Sequence, residues 1–398
     1  NQICLLYLRS WDMKSNYNQL GQYIEMVSRT NSDLKYGIED VRGCSNTKQM
    51  MQTRANLIGR TYEKFIVLRP QEFVFNRRTT RNGEKIGMAY NNTDREYIFT
   101  NDYVAFRVKQ EYLDKLLPDY LYLFFCRDEF DRYARYKSTG SATEFFNWED
   151  MCAVPFEIPP MDFQQLVVNA YKVLNKRIET KQKINDNLAT QALTLFSDFV
   201  SHLSKKLEQR KLGDVIASAN TGGDAIQKVP IVDYDTGIKC ARVGDITNAR
   251  EYASWAFCNA SKSVYDNYKL QAGDILVTRT ATLGITQYIA KDISAVYNNG
   301  LIRLKVNDTN ALPLYIYWAM KTSDFLNYIN QMNSATSVRP NMKIDYLLNY
   351  QLSIPSIEEQ TQFTNTVEPL MNAISLNNDE ILKLSEFQAI ILTTLSSR

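Results

Sequence analysis

The stretch "LPDYLYLFF" at residues 117–125 is written a second time, as "LPLYIYWAM" at residues 312–320. Tyr120 and Tyr315 lie 195 positions apart in a chain of 398 residues. A proline at a helix start, followed by an apolar face, is typical of a buried framework helix. The doubled phrase therefore predicts one structural unit present twice, with these helices in its core rather than in a site.

An offset of 196 residues aligns the segments that follow the doubled phrase. Ile158-Pro159 falls on Ile354-Pro355, and Gln164 falls on Gln360. Beyond them, apolar residues recur in steps of three and four, which indicates long helices that pack against other helices. The first stripe is Val167, Tyr171, Leu174, Ile178, Lys181, Asn185, Leu188, Ala192, Leu195 and Phe199. The second stripe is Phe363, Val367, Leu370, Ile374, Asn377, Ile381, Leu384, Gln388, Ile391 and Leu395.

The two helical segments carry opposite charge. Lys+Arg minus Asp+Glu is 9−5 = +4 for residues 161–211 and 2−6 = −4 for residues 356–398. The remaining segments are nearly neutral, at 22−21 = +1 for 1–160 and 13−12 = +1 for 212–355. Opposite charges along the flanks favour pairing of the two helices with each other. Pro369 is expected either to kink the second helix or to mark its start.

Upstream of each helix the repeat is looser. Leu20-Gly21 matches Leu212-Gly213, "EFVFNRR" (72–78) resembles "DILVTRT" (274–280), and "FRV" (106–108) resembles "IRL" (302–304). Short β-rich stretches lead into each Leu-Pro helix. They are "KFIVL", "EFVFN", "YIFT" and "YVAFRV" in the first half, and "GDILVT" and "GLIRLKV" in the second. The offset between matching segments changes along the chain, which predicts loops of different length on a common framework.

The loops that differ between the halves are polar and partly basic. "NRRTTRNGEK" (76–85) offers Arg77, Arg78, Thr80, Arg81, Asn82 and Lys85, and "TRTATLG" (278–284) offers Thr278, Arg279 and Thr280. Two further segments, "STGSATEFFNW" (138–148) and "NSATSVRPNMK" (333–343), contribute Ser141, Thr143, Ser334, Thr336, Arg339 and Asn341. An arginine fork suits phosphate and the guanine edge, and asparagine can pair with adenine. An ordinary solvated loop is the competing interpretation of each segment taken singly.

Composition narrows the class of protein. No apolar run reaches membrane-spanning length, and the start "NQICLLYLRS" meets Arg9 too early for a signal peptide. Six cysteines form no CxxC pair and are expected to be reduced thiols of a cytoplasmic protein. His202 is the single histidine, which argues against most zinc and triad chemistry.

Intrinsic catalysis is the main rival from another functional class. The sequence has no G-x-x-x-x-G-K-[ST] phosphate loop and no glycine-rich cofactor turn, and no acidic spacing marks a metal site. We therefore expect no catalytic residue, no metal site and no cofactor in this chain. A tandem scaffold that binds proteins rather than DNA remains open, because the domains are nearly neutral; binding to random duplex DNA that weakens steeply with salt would distinguish the two.

The doubled order resembles the specificity subunit of a type I restriction-modification system. The matching residues are Leu212-Gly213, "ARVGDI" (241–246) with Arg242, "GDILVTRT" (273–280), "NSATSVRPNM" (333–342) and "IPSIEEQ" (354–360). In the first half "FVFNRRTTRNGEKIG", "GSATEFFNWED" and "IPPMDFQ" are similar. The resemblance covers nearly all of the chain after about residue 17.

The resemblance implies an α+β fold of two similar mixed α/β target-recognition domains, separated by two long helices that pack together as an antiparallel coiled coil. The corresponding ranges are 1–160 for the first domain, ordered from about residue 17, and 161–211 for the first helix and linker. The second domain then spans 212–355 and the second helix 356–398. Each domain is expected to contact one half of a split, asymmetric DNA sequence through the loop residues named above.

The resemblance also implies the partners of the chain. The paired helices are expected to set the distance between the domains and to form the docking surface for two modification subunits. Those subunits methylate adenine with S-adenosylmethionine in host defence. Restriction subunits, which use ATP and magnesium, complete the cleaving form of the complex. The partner methyltransferases use an Asn-Pro-Pro-aromatic motif, and this sequence does not contain it.

Overall fold

The computed structural model describes residues 18–53, 57, 59–79, 85–139, 144–203, 209–223, 228–335 and 341–395, without the side chains of 332–335. The chain divides into two compact units. The first unit consists of Asn1–Arg177 and Leu384–Arg398, and the second of Ile178–Lys383. Each unit therefore contains a segment of both long helices.

The first unit is built from short strands and helices in the order expected from its β-rich stretches. Its strands are β1 (Asn18–Gln19), β2 (Ile24–Val27), β3 (Arg42–Cys44), β4 (Met50–Gln52), β5 (Ile66–Leu68), β6 (Phe73–Asn76), β7 (Met88–Tyr90), β8 (Tyr97–Phe99), β9 (Tyr103–Val108) and β10 (Pro155–Phe156). Its helices are α1 (Pro118–Phe125), α2 (Asp128–Lys137), α3 (Trp148–Cys152) and the first part of α4 (Met161–His202).

An antiparallel four-stranded sheet in the order β2-β9-β6-β7 organises this unit. Strand β6 is central and fully buried at Phe73, Val74 and Phe75, since a strand covered on both faces loses the polar alternation of a half-exposed one. The pairs β1-β10, β3-β4 and β5-β8 surround it. Phe73 and Phe106 stack in neighbouring strands with ring centroids 5.0 Å apart, and α1 packs its apolar face on them.

The second unit repeats this plan with different insertions. Its strands are β11 (Gln209–Lys211), β12 (Ile216–Thr221), β13 (Ile231–Val232), β14 (Lys239–Ala241), β15 (Ala256–Cys258), β16 (Ile275–Thr278), β17 (Thr286–Tyr288), β18 (Ala295–Tyr297), β19 (Leu301–Val306) and β20 (Gln351–Ser353). Its helices are the rest of α4, then α5 (Val243–Thr247), α6 (Lys262–Tyr268), α7 (Pro313–Ala319), α8 (Ser323–Ala335), α9 (Ile344–Leu348) and most of α10 (Ile357–Thr394), whose end belongs to the first unit.

The main sheets of the two units share one strand order. The second sheet runs β12-β19-β16-β17, which is the order β2-β9-β6-β7 with each strand replaced by its repeat partner. The outer strands differ: β8 pairs antiparallel with β5, whereas β18 pairs parallel with β14 in a separate four-stranded sheet. The predicted common framework is confirmed, and the differences are confined to the insertions.

Close packing at two equivalent glycines explains why Leu-Gly occurs in both halves. Leu20 and Leu212 are fully buried, and their backbone N–H groups donate to Val154 and Tyr350, at 2.9 and 2.8 Å. A Cβ atom on Gly21 would lie 2.7 Å from Cys152 Cβ, and one on Gly213 would lie 3.3 Å from Leu348 Cβ. A larger residue at either position would push the one-turn helix that contains it, Leu20–Gln22 or Leu212–Val215, away from α3 or α9.

The doubled Leu-Pro phrase forms helices α1 and α7. Leu117 and Leu312 are the residues before these helices, and a proline occupies the first turn of each. Tyr120 and Tyr315 are 5% and 1% exposed, so the prediction that the phrase belongs to the core is confirmed.

The long helices follow the predicted stripe with one exception. In each unit their segments pack side by side in opposite directions: Asn175 is hydrogen-bonded to Gln388 in the first unit, and Phe196 packs on Phe363 in the second. Leu195 is 37% exposed, and the neighbouring Phe196 is buried at 4% instead. The stripe prediction was wrong there because a straight α-helix of 3.6 residues per turn drifts from a strict heptad.

Pro369 lies within α10, which begins at Ile357, so the alternative that this proline marks the helix start was wrong.

An ion pair joins the two long helices in the second unit, in line with the predicted pairing of their opposite charges. Lys181 Nζ lies 2.9 Å from Glu380 Oε2 and also donates to Asn377 Oδ1 at 2.8 Å. Asn377 in turn donates to Asn185 Oδ1 at 2.8 Å, so the polar interruptions of the two stripes bond to one another.

Two composition predictions can be compared with the described residues. The five cysteines that lie within them, Cys44, Cys126, Cys152, Cys240 and Cys258, are all free thiols. None of the helices in the described ranges is both long and apolar enough to span a bilayer.

Candidate nucleic-acid interface

In the first unit, the chain that leaves β6 pairs with the chain that enters α3. The backbone N–H of Phe146 donates to Arg77 O at 2.9 Å, and the N–H of Thr79 donates to Glu144 O at 3.0 Å. Arg78 and Phe145 form the β-bridge between these bonds. We call residues 77–79 with 144–146 the first loop pair. It joins two polar segments whose bridged residues, Arg78 and Phe145, are 67 positions apart in the sequence.

The second unit contains the same arrangement after β16. Met342 N–H donates to Arg279 O at 2.8 Å, and Thr280 forms a β-bridge with Asn341. We call residues 279–280 with 341–342 the second loop pair. Phe146 and Met342 differ by 196 positions, so the repeat extends to the hydrogen bonds that hold the variable loops.

Three cations of the first loop remain at the surface. Arg77 is exposed, donates to Asn147 Oδ1 at 3.3 Å, and holds its guanidinium 5.7 Å from the Phe145 ring. Arg78 lies 3.5 Å from Asp102 and Lys85 lies 3.6 Å from Asp128, and all four side chains are more than half exposed. Exposed pairs of this kind contribute about 0–1 kcal/mol, so a phosphate can compete for these cations.

The second loop pair is less basic and more enclosed. Arg279 is half-buried because Nε donates to Met342 O and Nη1 to Asn299 O, both at 3.2 Å. Thr280 is half-buried and faces Gly300, where a Cβ atom would lie 2.9 Å from Thr280 Oγ1. Asn341 is exposed at the bridge. Arg279 thus supports the loop with its backbone contacts, and Asn341 presents its amide to solvent.

Thr278 lies in the interior rather than on the loop surface. Its side chain is fully buried, and Oγ1 accepts a hydrogen bond from Ile285 N–H at 2.9 Å. Its inward orientation could not be predicted from the sequence, because a threonine at the end of a strand can point to either face. In this conformation the hydroxyl is engaged in the sheet.

Arg242 is the half-buried residue that precedes α5. Its guanidinium Nε donates to Asp245 Oδ2 at 3.0 Å, and its backbone N–H donates to the same oxygen at 3.0 Å. Asp245 is 1% exposed and also lies 3.4 Å from Arg250. The buried carboxylate therefore orients two arginines at one edge.

Several predicted site residues fall outside the part of the chain that the structure describes. They are Thr80, Arg81, Asn82, Ser141, Thr143, Thr336 and Arg339. Ser334 lies within α8, but its side chain is not described. The structure therefore describes the two loop pairs, and these predicted contacts remain predictions.

Sequence reasoning missed a basic and aromatic helix end beside the first loop pair. Helix α2 ends with Arg135, Tyr136 and Lys137, and Thr139 just beyond it bridges to Phe145. Tyr136 is 84% exposed, and Arg135 pairs with Glu144 of the loop pair. The signal was the interleaving of basic and aromatic residues in "RYARYK" (132–137), which is typical of nucleic-acid surfaces.

A buried ion pair holds the far end of the first loop to the same helix. Lys48 and Asp131 are 4% and 5% exposed and form a salt bridge. Lys48 Nζ donates to Ile86 O at 2.9 Å, and Asp131 Oδ1 accepts from Ile86 N–H at 3.0 Å. Burial lowers the pKa of Lys48, and the charge of Asp131 opposes that shift. Both the backbone N–H and the backbone C=O of Ile86, which follows Lys85, are therefore hydrogen-bonded to this ion pair.

Catalytic and metal chemistry find little support in the described residues. Within those ranges, no group of three or more His, Cys, Asp or Glu side chains is placed to hold a metal ion. Burial raises the pKa of Cys126 to about 11 and of Cys240 to about 12, so neither thiol is activated as a nucleophile.

Comparison with solved structures places this architecture among known ones. The S subunit of the type I restriction-modification system from M. genitalium matches at a TM-score of 0.50 and 13% identity, covering 97% of this chain and 98% of that chain. The HsdS subunit from Thermoanaerobacter tengcongensis matches at a TM-score of 0.35 and 15% identity, with 97% of both chains covered. No curated protein matches the sequence.

A family model matches the chain in two places, at residues 23–190 and 204–386. It is the model of the type I restriction modification DNA specificity domain, and the two matches together span most of the 398 residues. Both matches contain one loop pair and one main sheet, in agreement with the internal repeat. The chain belongs to the type I restriction-modification DNA specificity family and has the two-domain fold of a specificity subunit.

Proposed function

We propose that this chain is the non-catalytic recognition subunit of a type I restriction-modification complex, and that it binds a split, asymmetric DNA target with one half-site per domain. The observation that carries the proposal is the repeated loop pair. Each unit presents side chains from the same two places of the same framework, at Arg77 and Phe145 in one and at Arg279 and Asn341 in the other. Two similar domains that present different side chains suit the recognition of two different half-sites.

The basic first loop supports duplex DNA as the ligand. Arg77, Arg78 and Lys85 are exposed on one loop, and Arg135 and Lys137 end the adjacent helix α2. Arginine can bind phosphate or bond bidentately to a guanine in the major groove. In the second domain we assign DNA contacts to Arg242, Thr280 and Asn341, which have polar atoms at or near the surface.

The partners of the chain follow from its family in the same proposal. We assign the long helices as the docking surface for two adenine-methylating modification subunits, which bring S-adenosylmethionine to the complex. Restriction subunits with ATP and magnesium would complete a cleaving complex in the cytoplasm. The domains would span 1–160 and 212–355, with the helices at 161–211 and 356–398 between and after them.

Salt dependence of DNA binding tests this function against a protein-binding scaffold. Affinity of the purified chain for random duplex DNA should fall by orders of magnitude between low and physiological salt, because each released phosphate counterion adds to the slope. Adding the modification subunits should then confer sequence preference and adenine methylation. Absence of DNA binding at low salt, by the chain alone and by the assembled complex, would favour the scaffold.

A further inference from the structure

The second unit contains an aromatic cavity that the DNA-binding surface does not use. Its volume is about 190 Å³, and four aromatic side chains line it: Tyr252, Trp255, Tyr288 and Tyr317. The rings of Tyr288 and Tyr317 lie 5.6 Å apart, and those of Tyr252 and Trp255 lie 5.8 Å apart. An apolar cavity of about 150 Å³ is enough to hold benzene, so a short alkyl chain fits in this one.

The polar residues that line the cavity, apart from the aromatic ones, are Glu251, Gln287, Lys291, Ser375 and Asn378. Gln287 Oε1 is buried and has no hydrogen-bond partner among the described residues. Glu251 stands at the mouth, where Asn378 Nδ2 donates to its Oε1 at 2.6 Å and leaves the other carboxylate oxygen for a ligand. An unsatisfied buried acceptor such as Gln287 Oε1 costs free energy, and a ligand with N–H groups would satisfy it.

The charges around the cavity are mostly negative. Glu251 is an exposed residue by its accessible surface, yet desolvation raises its pKa, with the negative charge of Asp379 adding to the shift and Lys291 opposing it. Desolvation also raises the pKa of Tyr288, and the negative charges of Glu368 and Asp308 raise it further. A bound cation would relieve this crowding of carboxylates, since opposite charge favours their ionised forms.

The first unit has a smaller cavity in the equivalent place, in which a lysine ammonium group is paired with a carboxylate, whereas Lys291 of the larger cavity comes from a different position in the repeat. That cavity measures about 50 Å³ and is lined by Tyr90, Tyr122, Asp119 and Lys172. Tyr90 ends β7 as Tyr288 ends β17, and Tyr122 and Tyr317 occupy the same place in the doubled phrase. Lys172 Nζ lies 2.8 Å from Asp119 Oδ2, beside the stacked tyrosines.

The repeat places Glu368 at the position that corresponds to Lys172, 196 residues further on. The second unit therefore keeps the tyrosine pair and a carboxylate, has a larger cavity, and has an acid where the first unit has its lysine. We infer that the cavity lined by Tyr252, Trp255, Tyr288 and Tyr317 binds a primary alkylammonium group from outside the chain, with its nitrogen at Glu251 and Gln287. The group belongs to a free amine or to a lysine side chain of a partner.

Titration calorimetry of the full chain with n-butylammonium chloride tests this inference. We expect one site, with affinity at least about tenfold above that for neutral n-butanol, because a charge-assisted hydrogen bond separates the two ligands. Affinity should fall as pH is lowered through the pKa of Glu251, since the protonated acid no longer attracts a cation. Equal affinity for the two ligands would overturn the inference.

Two variants separate the site from a general effect on folding. Glu251→Gln keeps the shape of the side chain and should weaken butylammonium binding about tenfold. Lys172→Ala should open the first cavity beside Asp119 and raise the stoichiometry from one to two. Lys183→Ala removes an exposed lysine of the same helix and should leave the stoichiometry at one. An affinity unchanged by Glu251→Gln, together with a stoichiometry unchanged by Lys172→Ala, would contradict the inference.

The source of the ammonium group is distinguished by two further probes. Spermidine represents a free polyamine, and Nα-acetyl-lysine methylamide represents a lysine side chain of a partner protein. Tighter binding of spermidine assigns the cavity to polyamines, and tighter binding of the lysine derivative assigns it to a partner. Failure of both probes, with n-butylammonium also inactive, would overturn the inference without affecting the assignment of DNA binding.

Discussion

Gln164 and Gln360 make the same pair of hydrogen bonds 196 residues apart, at the start of the two long helices. Gln164 Oε1 accepts from Leu117 N–H and Gln360 Oε1 from Leu312 N–H, both at 2.8 Å. Each side-chain amide also donates to a proline carbonyl five residues earlier, at 2.7 and 2.9 Å. Both glutamines are fully buried, so each fixes a Leu-Pro helix to a long helix.

Replacing either glutamine with leucine should destabilise the chain by about 1–3 kcal/mol. The cost arises because the leucine N–H and the proline carbonyl would remain buried without partners. Urea unfolding of Gln164→Leu and Gln360→Leu measures it, with the exposed Gln165→Ala and Gln362→Ala as controls expected within about 0.5 kcal/mol of the parent. Equal effects of buried and exposed substitutions would show that these bonds do not stabilise the framework.

Lys48→Met should destabilise the first domain by about 3–5 kcal/mol, because Asp131 would remain as a buried charge without its cation. The double variant Lys48→Met with Asp131→Leu should recover much of that loss, since no charge is left unpaired. Chemical unfolding of the single and double variants gives the coupling. Lys85→Ala breaks the exposed pair with Asp128 and serves as the control, with an expected change of about 0–1 kcal/mol. A Lys48→Met variant no less stable than Lys85→Ala would contradict the role of the buried pair.

Lys321 makes the stability of the second unit depend on pH. Its Nζ donates to Thr286 O at 2.8 Å, and burial lowers its pKa from 10.5 to about 8. Between these values the unfolded chain binds the proton and the folded chain does not, so this residue makes stability rise with pH across that window. Below about pH 8 both states are protonated and the contribution is flat.

Lys321→Met should remove that rise. The difference in unfolding free energy between parent and variant should move in favour of the parent by about 1–2 kcal/mol between about pH 7 and pH 10, allowing for partial exposure of the side chain. Denaturant unfolding at both pH values measures the difference, which cancels the titration of groups common to both proteins. A difference independent of pH would show that the amine keeps its ordinary pKa.

The repeat and the helices could be predicted because they depend on local sequence patterns. Proline at a helix start, the three-and-four spacing of Val167 to Phe199, and the β-rich stretches each specify one element within a few residues. The burial of Phe196 instead of Leu195 was not predicted, because it depends on the helical drift that accumulates over the length of α4. The strand order also needed the structure, since β2 and β9 are 75 residues apart and pair through the packing of the whole unit.

The candidate site was predictable in its loops but not in its side chains. The sequence shows that Arg77 and Arg279 are polar loop residues after matching strands. It does not show that Arg279 holds two backbone carbonyls or that Thr278 turns inward, because both depend on contacts with residues up to 63 positions away. The exposed Tyr136 was missed because its helix reads as an ordinary amphipathic one.

Mapping methylated adenines tests the claim of one half-site per domain most directly. The chain is assembled with its modification subunits as the parent, as Arg77→Ala with Arg78→Ala, and as Thr280→Ala with Asn341→Ala, each checked for folding by its unfolding transition. A substitution that removes a base contact should cost about 1–3 kcal/mol and relax the target at that base. We expect the arginine variant to relax one half-site only, and the Thr280 and Asn341 variant to relax only the other. Changes in both half-sites from either variant, or in neither half-site from both, would contradict the account.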